Sequence, residues 1–207
     1  MDIIIFDYDG VIVDSLDLVI EIYNELAPQY DLEKLKEKEE FTKFFDHNFF
    51  QGLKENGIGP EVYEGLLKEM ADRLAREVKD APLFEGIKEV LKKLSQEYRL
   101  LIITSNLSYV IEGALKINDI KEIEEVVGAE KEKSKVKKIK RVEGKYPDSK
   151  IYYIGDTTGD IYEGREAGTI TVAVSWGFHK KEKLELSEPD YLAITTEELL
   201  DIFILDK

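Results

Sequence analysis

Two pairs of aspartates stand out by their spacing. Asp7 and Asp9 lie in Asp7-Tyr8-Asp9-Gly10-Val11, and Asp156 and Asp160 lie in Gly155-Asp156-Thr157-Thr158-Gly159-Asp160. Carboxylates this close repel one another unless a cation or a shared proton offsets the repulsion. Carboxylate oxygens without His or Cys form a hard donor set, which suits Mg²⁺ rather than zinc or copper. Two further segments supply what an anion needs. Thr104-Ser105-Asn106 offers hydroxyls and, ahead of a helix, unpaired backbone N–H groups. Residues 130–145 include Lys131, Lys133, Lys135, Lys137, Lys138, Lys140 and Arg141. Most of these must line a solvated helix face, and one near the helix start suffices to offset a phosphate. Each piece alone has a simpler role, with Asp156 as a helix N-cap and Asp160 as a first-turn acid. Those roles do not explain why both acidic pairs end strands.

The strands are legible as short apolar runs. Residues 2–6 (DIIIF), 100–104 (LLIIT), 151–155 (IYYIG) and 171–174 (TVAV) read as strands buried on both faces, with weaker candidates at 125–127 and 191–194. Such runs suit a parallel sheet. Ile87, Val90, Leu91 and Leu94, then Val136, Ile139 and Val142, repeat at helical spacing. Alternating strands and helices predict an α/β sheet, in which ligands bind beyond the C-terminal strand ends.

Between residues 15 and 81 the alternation stops. Leu16, Val19, Ile20, Tyr23 and Leu26 mark one helix, ended near Pro28. Phe41, Phe44, Phe45, Phe49, Phe50 and Leu53 mark a second helix or a broken pair, ended by Asn56-Gly57. Pro60 opens a third, striped by Val62, Leu66, Met70 and Leu74. At roughly 65 residues the stretch is too long for an ordinary crossover and reads as an all-helical insertion.

Composition narrows the function. The 207-residue chain carries 44 Asp plus Glu against 29 Lys plus Arg, a net charge of −15, with two His and no Cys. It is long enough to bury a stable core. Cysteine nucleophiles, disulfides and cysteine-ligated metals are excluded, and a multi-His metal site is disfavoured. The acidity argues against nucleic-acid or anionic-membrane partners. No apolar run approaches the length of a bilayer span and no secretory signal is visible, so a cytoplasmic location is expected. The Lys–Glu richness also resembles heat-adapted, thermophilic compositions.

Taken in order, Asp-x-Asp-Gly-Val after the first strand, Thr-Ser-Asn after the second, lysine before a helix and Gly-Asp-x-x-x-Asp after the fourth resemble the haloacid dehalogenase superfamily. The resemblance spans nearly the whole chain. Residues 7–15 (DYDGVIVDS), the helical insertion, 82–86 (PLFEG), 155–168 (GDTTGDIYEGREAG), 175–177 (SWG) and 187–191 (SEPDY) resemble its phosphoglycolate phosphatase-like branch.

That resemblance implies a Rossmann-like parallel-sheet core at residues 1–15 and 82–207. An all-helical cap domain at 16–81 would be hinged at Asp14-Ser15 and Ala81-Pro82. It implies a Mg²⁺-dependent phosphatase acting on a small phosphomonoester; the sequence leaves a monomer and a small homo-oligomer equally open. Asp7 would be the nucleophile that becomes an aspartyl-phosphate, and Asp9 the acid and base. The metal would be held by the Asp7 carboxylate, the Asp9 backbone carbonyl and Asp156, with Asp160 beside it. Thr104 and the Ser105-Asn106 backbone would hold a phosphoryl oxygen. The family usually shows Lys-Pro at its lysine motif; aligning Lys133-Ser134 on it selects Lys133, with Lys131 and Lys135 as alternatives. Haloacid dehalogenases lack the acid two residues after the nucleophile, so Asp9 argues against carbon–halogen cleavage. Sugar-phosphate mutases keep both acids and are the closer rival, with a non-enzymatic binding protein behind them. In the insertion, the cluster from Phe41 to Phe50 reads as cap core rather than a substrate cage, and His47 as a surface residue or a substrate contact. Trp176 reads as packing or as part of the site entrance.

Overall fold

The protein is described from a computed structural model over residues 1–47, 49–77 and 81–205. Six strands form one sheet: β1 (Ile3–Phe6), β2 (Arg99–Ile103), β3 (Ile123–Val127), β4 (Ile151–Gly155), β5 (Ile170–Val174) and β6 (Tyr191–Ala193). Their order is β3-β2-β1-β4-β5-β6, and every pairing is parallel. The four strong and two weaker strand candidates are therefore all present.

β1 shows why its sequence is continuously apolar. Side chains alternate across a strand, so Ile4 and Phe6 enter one core while Ile3 and Ile5 enter the other. All four are fully buried. The first face is covered by α5 (Ile87–Leu94), α6 (Ser108–Ile117) and α10 (Thr196–Leu205) through Leu91, Ile111 and Phe203. The second is covered by α7 (Lys135–Lys145) through Ile139 and by the end of α8 (Thr158–Ala167) through Ala167. A short α9 (Lys181–Glu185) packs Leu184 against Ile161 and Ala173.

Between β1 and α5 the chain is helical: α1 (Leu16–Leu26), α2 (Lys38–Thr42), α3 (Phe49–Glu55) and α4 (Pro60–Glu77). Single 3-10 turns at Ala27–Tyr30 and Lys43–Phe45 follow α1 and α2, so the phenylalanine-rich stretch is a broken pair. The chain enters and leaves this segment side by side. Asp14 N donates to Pro82 O (2.8 Å), Phe84 N donates to Ile12 O (3.1 Å), and Val13 bridges Leu83 in antiparallel fashion. Residues 78–80, just before the expected Ala81-Pro82 passage, lie outside the described residues. Among the described residues, no helix is long and apolar enough to cross a membrane.

The sheet changes direction at β1. The chain moves outward from β1 to β2 and β3, then returns to place β4 on the other side of β1. In open α/β sheets such a switch point leaves a crevice outside the C-terminal strand ends. Phe6 pairs with both Ile102 and Ile154, so the residues after β1, β2 and β4 emerge at one level.

Candidate active site

Asp7 follows β1 directly and Asp156 follows β4. With Asp160, on the first turn of α8, they form a buried cluster whose carboxylate oxygens lie within 4.8 Å of one another. Between Asp7 and Asp9 the backbone reverses sharply: the N–H groups of Val11, Ile12 and Val13 all donate to Tyr8 O. Gly10 takes φ +77° in that turn. A Cβ there would fall 1.9 Å from Asp156 Oδ2, and one at Gly177 would fall 2.3 Å from the same atom. Two glycines thus let the backbone close around Asp156, which no larger residue would permit.

Each carboxylate has a different set of partners. Asp7 Oδ1 accepts from Tyr8 N (2.7 Å), and Oδ2 accepts from Lys135 Nζ (2.6 Å). Asp160 Oδ1 accepts from Lys135 Nζ (2.6 Å) and Tyr153 Oη (3.0 Å). Its Oδ2 accepts from Thr157 N (3.2 Å) and Thr157 Oγ1 (2.6 Å), closing a capping box at the start of α8. Asp156 is different. Its Oδ2 accepts from Phe178 N (2.7 Å), but its buried Oδ1 has no hydrogen-bond partner among the described residues. A buried carboxylate oxygen without a donor is costly, and a bound cation would satisfy it. The donor set is all oxygen and therefore fits a hard divalent metal. Asp160, which accepts two hydrogen bonds at each oxygen where Asp7 accepts one at each, fits a place beside such an ion better than one on it. The helix cap at this strand end is Thr157, not Asp156.

Asp9 has a partner of its own: its Oδ1 accepts from Ser15 Oγ (2.6 Å). Thr104 and Ser105 line the same cavity as Asp7 and Asp9. Thr104 Oγ1 accepts from Asn106 N (3.0 Å), which fixes the hydroxyl at the end of β2.

The lysine assignment needs correcting. Lys133 Nζ pairs with Glu64 of α4 (2.9 Å) and its side chain is 51% exposed. Lys135, 6% exposed, donates to both Asp7 and Asp160. The reason is where the helix begins. Ser134 is the N-cap of α7, its side chain accepting from Lys137 N. Lys133 therefore lies outside the helix while Lys135 starts the first turn, over the strand ends. Lys133 still lines the cavity, away from the carboxylates, whereas Lys131 is not part of the lining and donates to Val126 O (2.8 Å).

Two further buried residues, Lys138 and His179, support the site without being singled out by the sequence. Lys138, three positions after Lys135 and almost wholly buried, donates to Thr104 O (2.6 Å) and pins the end of β2. Its signal was present: positions 135, 138, 139 and 142 share one helix face, and lysines fill two places on an otherwise apolar stripe. His179, also buried, accepts from Thr158 N at Nδ1 (3.0 Å) and donates from Nε2 to Thr42 O (2.9 Å). It joins the start of α8 to α2, and nothing local in the sequence marks it. His47, by contrast, is exposed and stacked on Tyr162. Trp176 packs against Phe84 and donates to Val11 O (3.2 Å).

Comparison with known proteins places this arrangement. Residues 4–174 match the family described as haloacid dehalogenase-like hydrolase. The chain belongs to that family. A phosphoglycolate phosphatase from Synechococcus elongatus is 31% identical over 206 residues, covering 97% of this chain and 96% of its own. A pyrophosphatase PpaX from Bacillus cereus is 26% identical, covering 96% and 94%. Among solved structures, a predicted phosphatase from Clostridium acetobutylicum superposes with a TM-score of 0.85 at 17% identity, with 98% of both chains covered. A haloacid dehalogenase-like family hydrolase from Streptococcus pneumoniae gives 0.80 at 23%, also with 98% of both covered. These two extend the fold match to almost the whole chain.

Charge in the site is poised by burial. Burial pushes the Asp7 carboxyl up to about 7 although Lys135 opposes it. Burial and the neighbouring Asp160 and Asp7 raise Asp156 well above the carboxylate range. Burial also disfavours ionised Asp160, but Lys135 and the hydroxyls of Thr157 and Tyr153 outweigh it and hold Asp160 low. Burial lowers Lys138 to about 8, helped by Lys135. For Asp7 and Asp156 the folded state keeps protons that the unfolded chain has already released. The metal-free protein should therefore lose stability as pH rises from about 4 through 7. Asp160 acts in the opposite sense, but only below that window. Thermal melts of metal-free protein should show the loss, and added Mg²⁺ should raise the melting temperature more at pH 8 than at pH 5. An equal rise at both pH values would count against a metal at this cluster.

Proposed function

We propose that this haloacid dehalogenase-like hydrolase is a Mg²⁺-dependent phosphatase that cleaves a small phosphomonoester through an aspartyl-phosphate on Asp7. The observation that carries the proposal is the convergence of Asp7, Asp156 and Lys135 on one cavity that also contains Asp9 and Thr104. The kinship with a phosphatase and a pyrophosphatase supports phosphoryl transfer as the chemistry. The Asp7 and Asp156 carboxylates and the Asp9 carbonyl would hold Mg²⁺, which would offset charge on the phosphoryl oxygens.

The chain's own groups divide the remaining work. An Asp7 carboxylate oxygen attacks phosphorus, and the bond to the leaving oxygen breaks. Asp9 gives that oxygen its proton. Burial raises the Asp9 carboxyl against the hydrogen bonds from Ser15 and Asn106, which favours the protonated form this step needs. Asp9 then takes a proton from the water that attacks phosphorus, releasing phosphate and restoring Asp7. Thr104, already an acceptor through Oγ1, keeps its own proton to donate to a phosphoryl oxygen. Lys135 supplies a fixed positive charge beside the nucleophile. The helical segment would act as a cap that excludes water during the first step.

Purified protein should release phosphate from p-nitrophenyl phosphate with Mg²⁺ and lose that activity in EDTA. Full turnover in EDTA would contradict the proposal. Conversion of a hexose phosphate to its isomer without phosphate release would favour the mutase instead.

A further inference from the structure

The cavity that holds the carboxylates has a second wall whose chemistry the phosphoryl group does not use. Its volume is about 320 Å³, near the lower end of the roughly 300–1,000 Å³ range of ligand pockets. Away from the carboxylates the lining comes largely from the helical segment, including Phe45, Phe49, Phe50, Tyr63 and Leu67, and is joined by Glu130 and Lys133 of the loop after β3. The aromatic stretch therefore divides. Phe44 is buried in the core, Phe41 is almost wholly buried yet still reaches the cavity lining, and Phe45, Phe49 and Phe50 line it half-buried. Phe45 and Phe49 stack at 4.7 Å, and Phe49 meets Phe50 at 5.6 Å.

The charged groups on this wall are few and largely engaged. Lys133, which the lysine motif had suggested as the phosphate ligand, pairs with Glu64 and sits over the Phe50 and Tyr63 rings at 5.6 and 5.5 Å. Glu130 accepts from Ser108 N (3.0 Å), and Lys68 lies exposed. Two acids and two lysines leave this wall without net charge. A carboxylate on the leaving group would lose water against phenylalanine rings and compete with Glu64 for Lys133. An alkyl or aryl leaving group would instead cover rings that are otherwise part-exposed.

We propose that the substrate is a phosphomonoester with an apolar leaving group, and that Phe45, Phe49, Phe50 and Tyr63 select it over a hydroxy-acid phosphate. The proposal rests on the phosphatase reading for its phosphoryl end. It assigns this chain a leaving-group preference different from the substrate named for its Synechococcus relative.

A series of straight-chain alkyl phosphates, ethyl to hexyl, tests it. The acidity of the leaving alcohol barely changes along the series, so bond breaking is held constant while apolar area grows. With Mg²⁺, kcat/KM should rise about two- to fourfold per added methylene until the cavity fills. 2-Phosphoglycolate should fall at least about tenfold below butyl phosphate on the same area argument. Phe49→Ala should reduce the gain per methylene. A flat or falling series, or 2-phosphoglycolate above butyl phosphate, would overturn the proposal. If nothing is hydrolysed, p-nitrophenyl phosphate included, the phosphatase reading fails by itself. Calorimetric binding of alkyl phosphonates then decides the pocket: affinity that rises with chain length supports it, and affinity that does not overturns it.

Discussion

Asp7→Asn should abolish turnover, by about 10³-fold or more, equivalent to ~4 kcal/mol of transition-state stabilisation, while leaving the fold intact. The amide keeps the shape of the carboxyl, and its oxygen can still accept from Tyr8 N, the bond that fixes the side chain at the end of β1. It lacks the negative oxygen that must attack phosphorus. Stability should move the other way from activity. Asp7, Asp156 and Asp160 crowd three carboxylates into one buried cluster, so removing one charge relieves repulsion in the metal-free protein. Circular dichroism and thermal melts should show an unchanged fold with an equal or higher melting temperature at pH 8. An unfolded variant, or one retaining more than a few per cent of kcat, would contradict the assignment of Asp7.

The second large effect separates two lysines only two residues apart. Lys135→Met should lower kcat about 10²–10³-fold, on the scale of losing one preorganised electrostatic donor. It should also destabilise the protein. Lys135 is the cation shared by Asp7 and Asp160, and removing one partner of a buried ion pair typically costs about 3–5 kcal/mol. Lys133→Met breaks a half-exposed pair with Glu64, a class of interaction worth about 0.2–1 kcal/mol, and should change kcat by several-fold at most. Steady-state kinetics and urea unfolding of both variants check the pair. Larger losses at Lys133 than at Lys135 would restore the assignment from the Lys-Pro alignment and overturn the geometric one.

The contrast shows what the sequence carried and what it did not. The strands and acidic pairs were legible because their signals are local. Ile3–Phe6 is apolar at every position since both faces of β1 are covered, and Asp7 and Asp156 directly follow their strands. The lysine was not legible to the residue. Lys131, Lys133, Lys135, Lys137 and Lys138 share one chemistry, and the start of α7 at Ser134 decides which of them faces inward. Lys138 was hidden for the same reason, reading as one more solvated charge. The phenylalanines of the helical segment pack as expected, with Phe41 and Phe44 in the core and Phe45 and Phe49 against it, but their exposure to the cavity was not legible. A half-buried ring at a cavity and a fully buried one look alike in sequence, and Phe44 and Phe45, neighbours in one 3-10 turn, differ only in what each meets in the folded protein. His179 has no local signal at all, because its partners Thr42 and Thr158 are distant in the chain.

The covalent role of Asp7 is the claim on which the other roles depend, and intact-protein mass spectrometry tests it most directly. In Asp9→Asn the base that activates water is gone, but p-nitrophenolate needs no protonation to leave at neutral pH. Formation of the intermediate should therefore outpace its breakdown. Quenching that variant in acid after mixing with p-nitrophenyl phosphate and Mg²⁺ should reveal protein heavier by one phosphoryl group. Peptide fragmentation should place the added mass on Asp7. A phosphoryl group on another residue, or wild-type protein that hydrolyses the substrate while the variant burns through it with no adduct, would contradict the account.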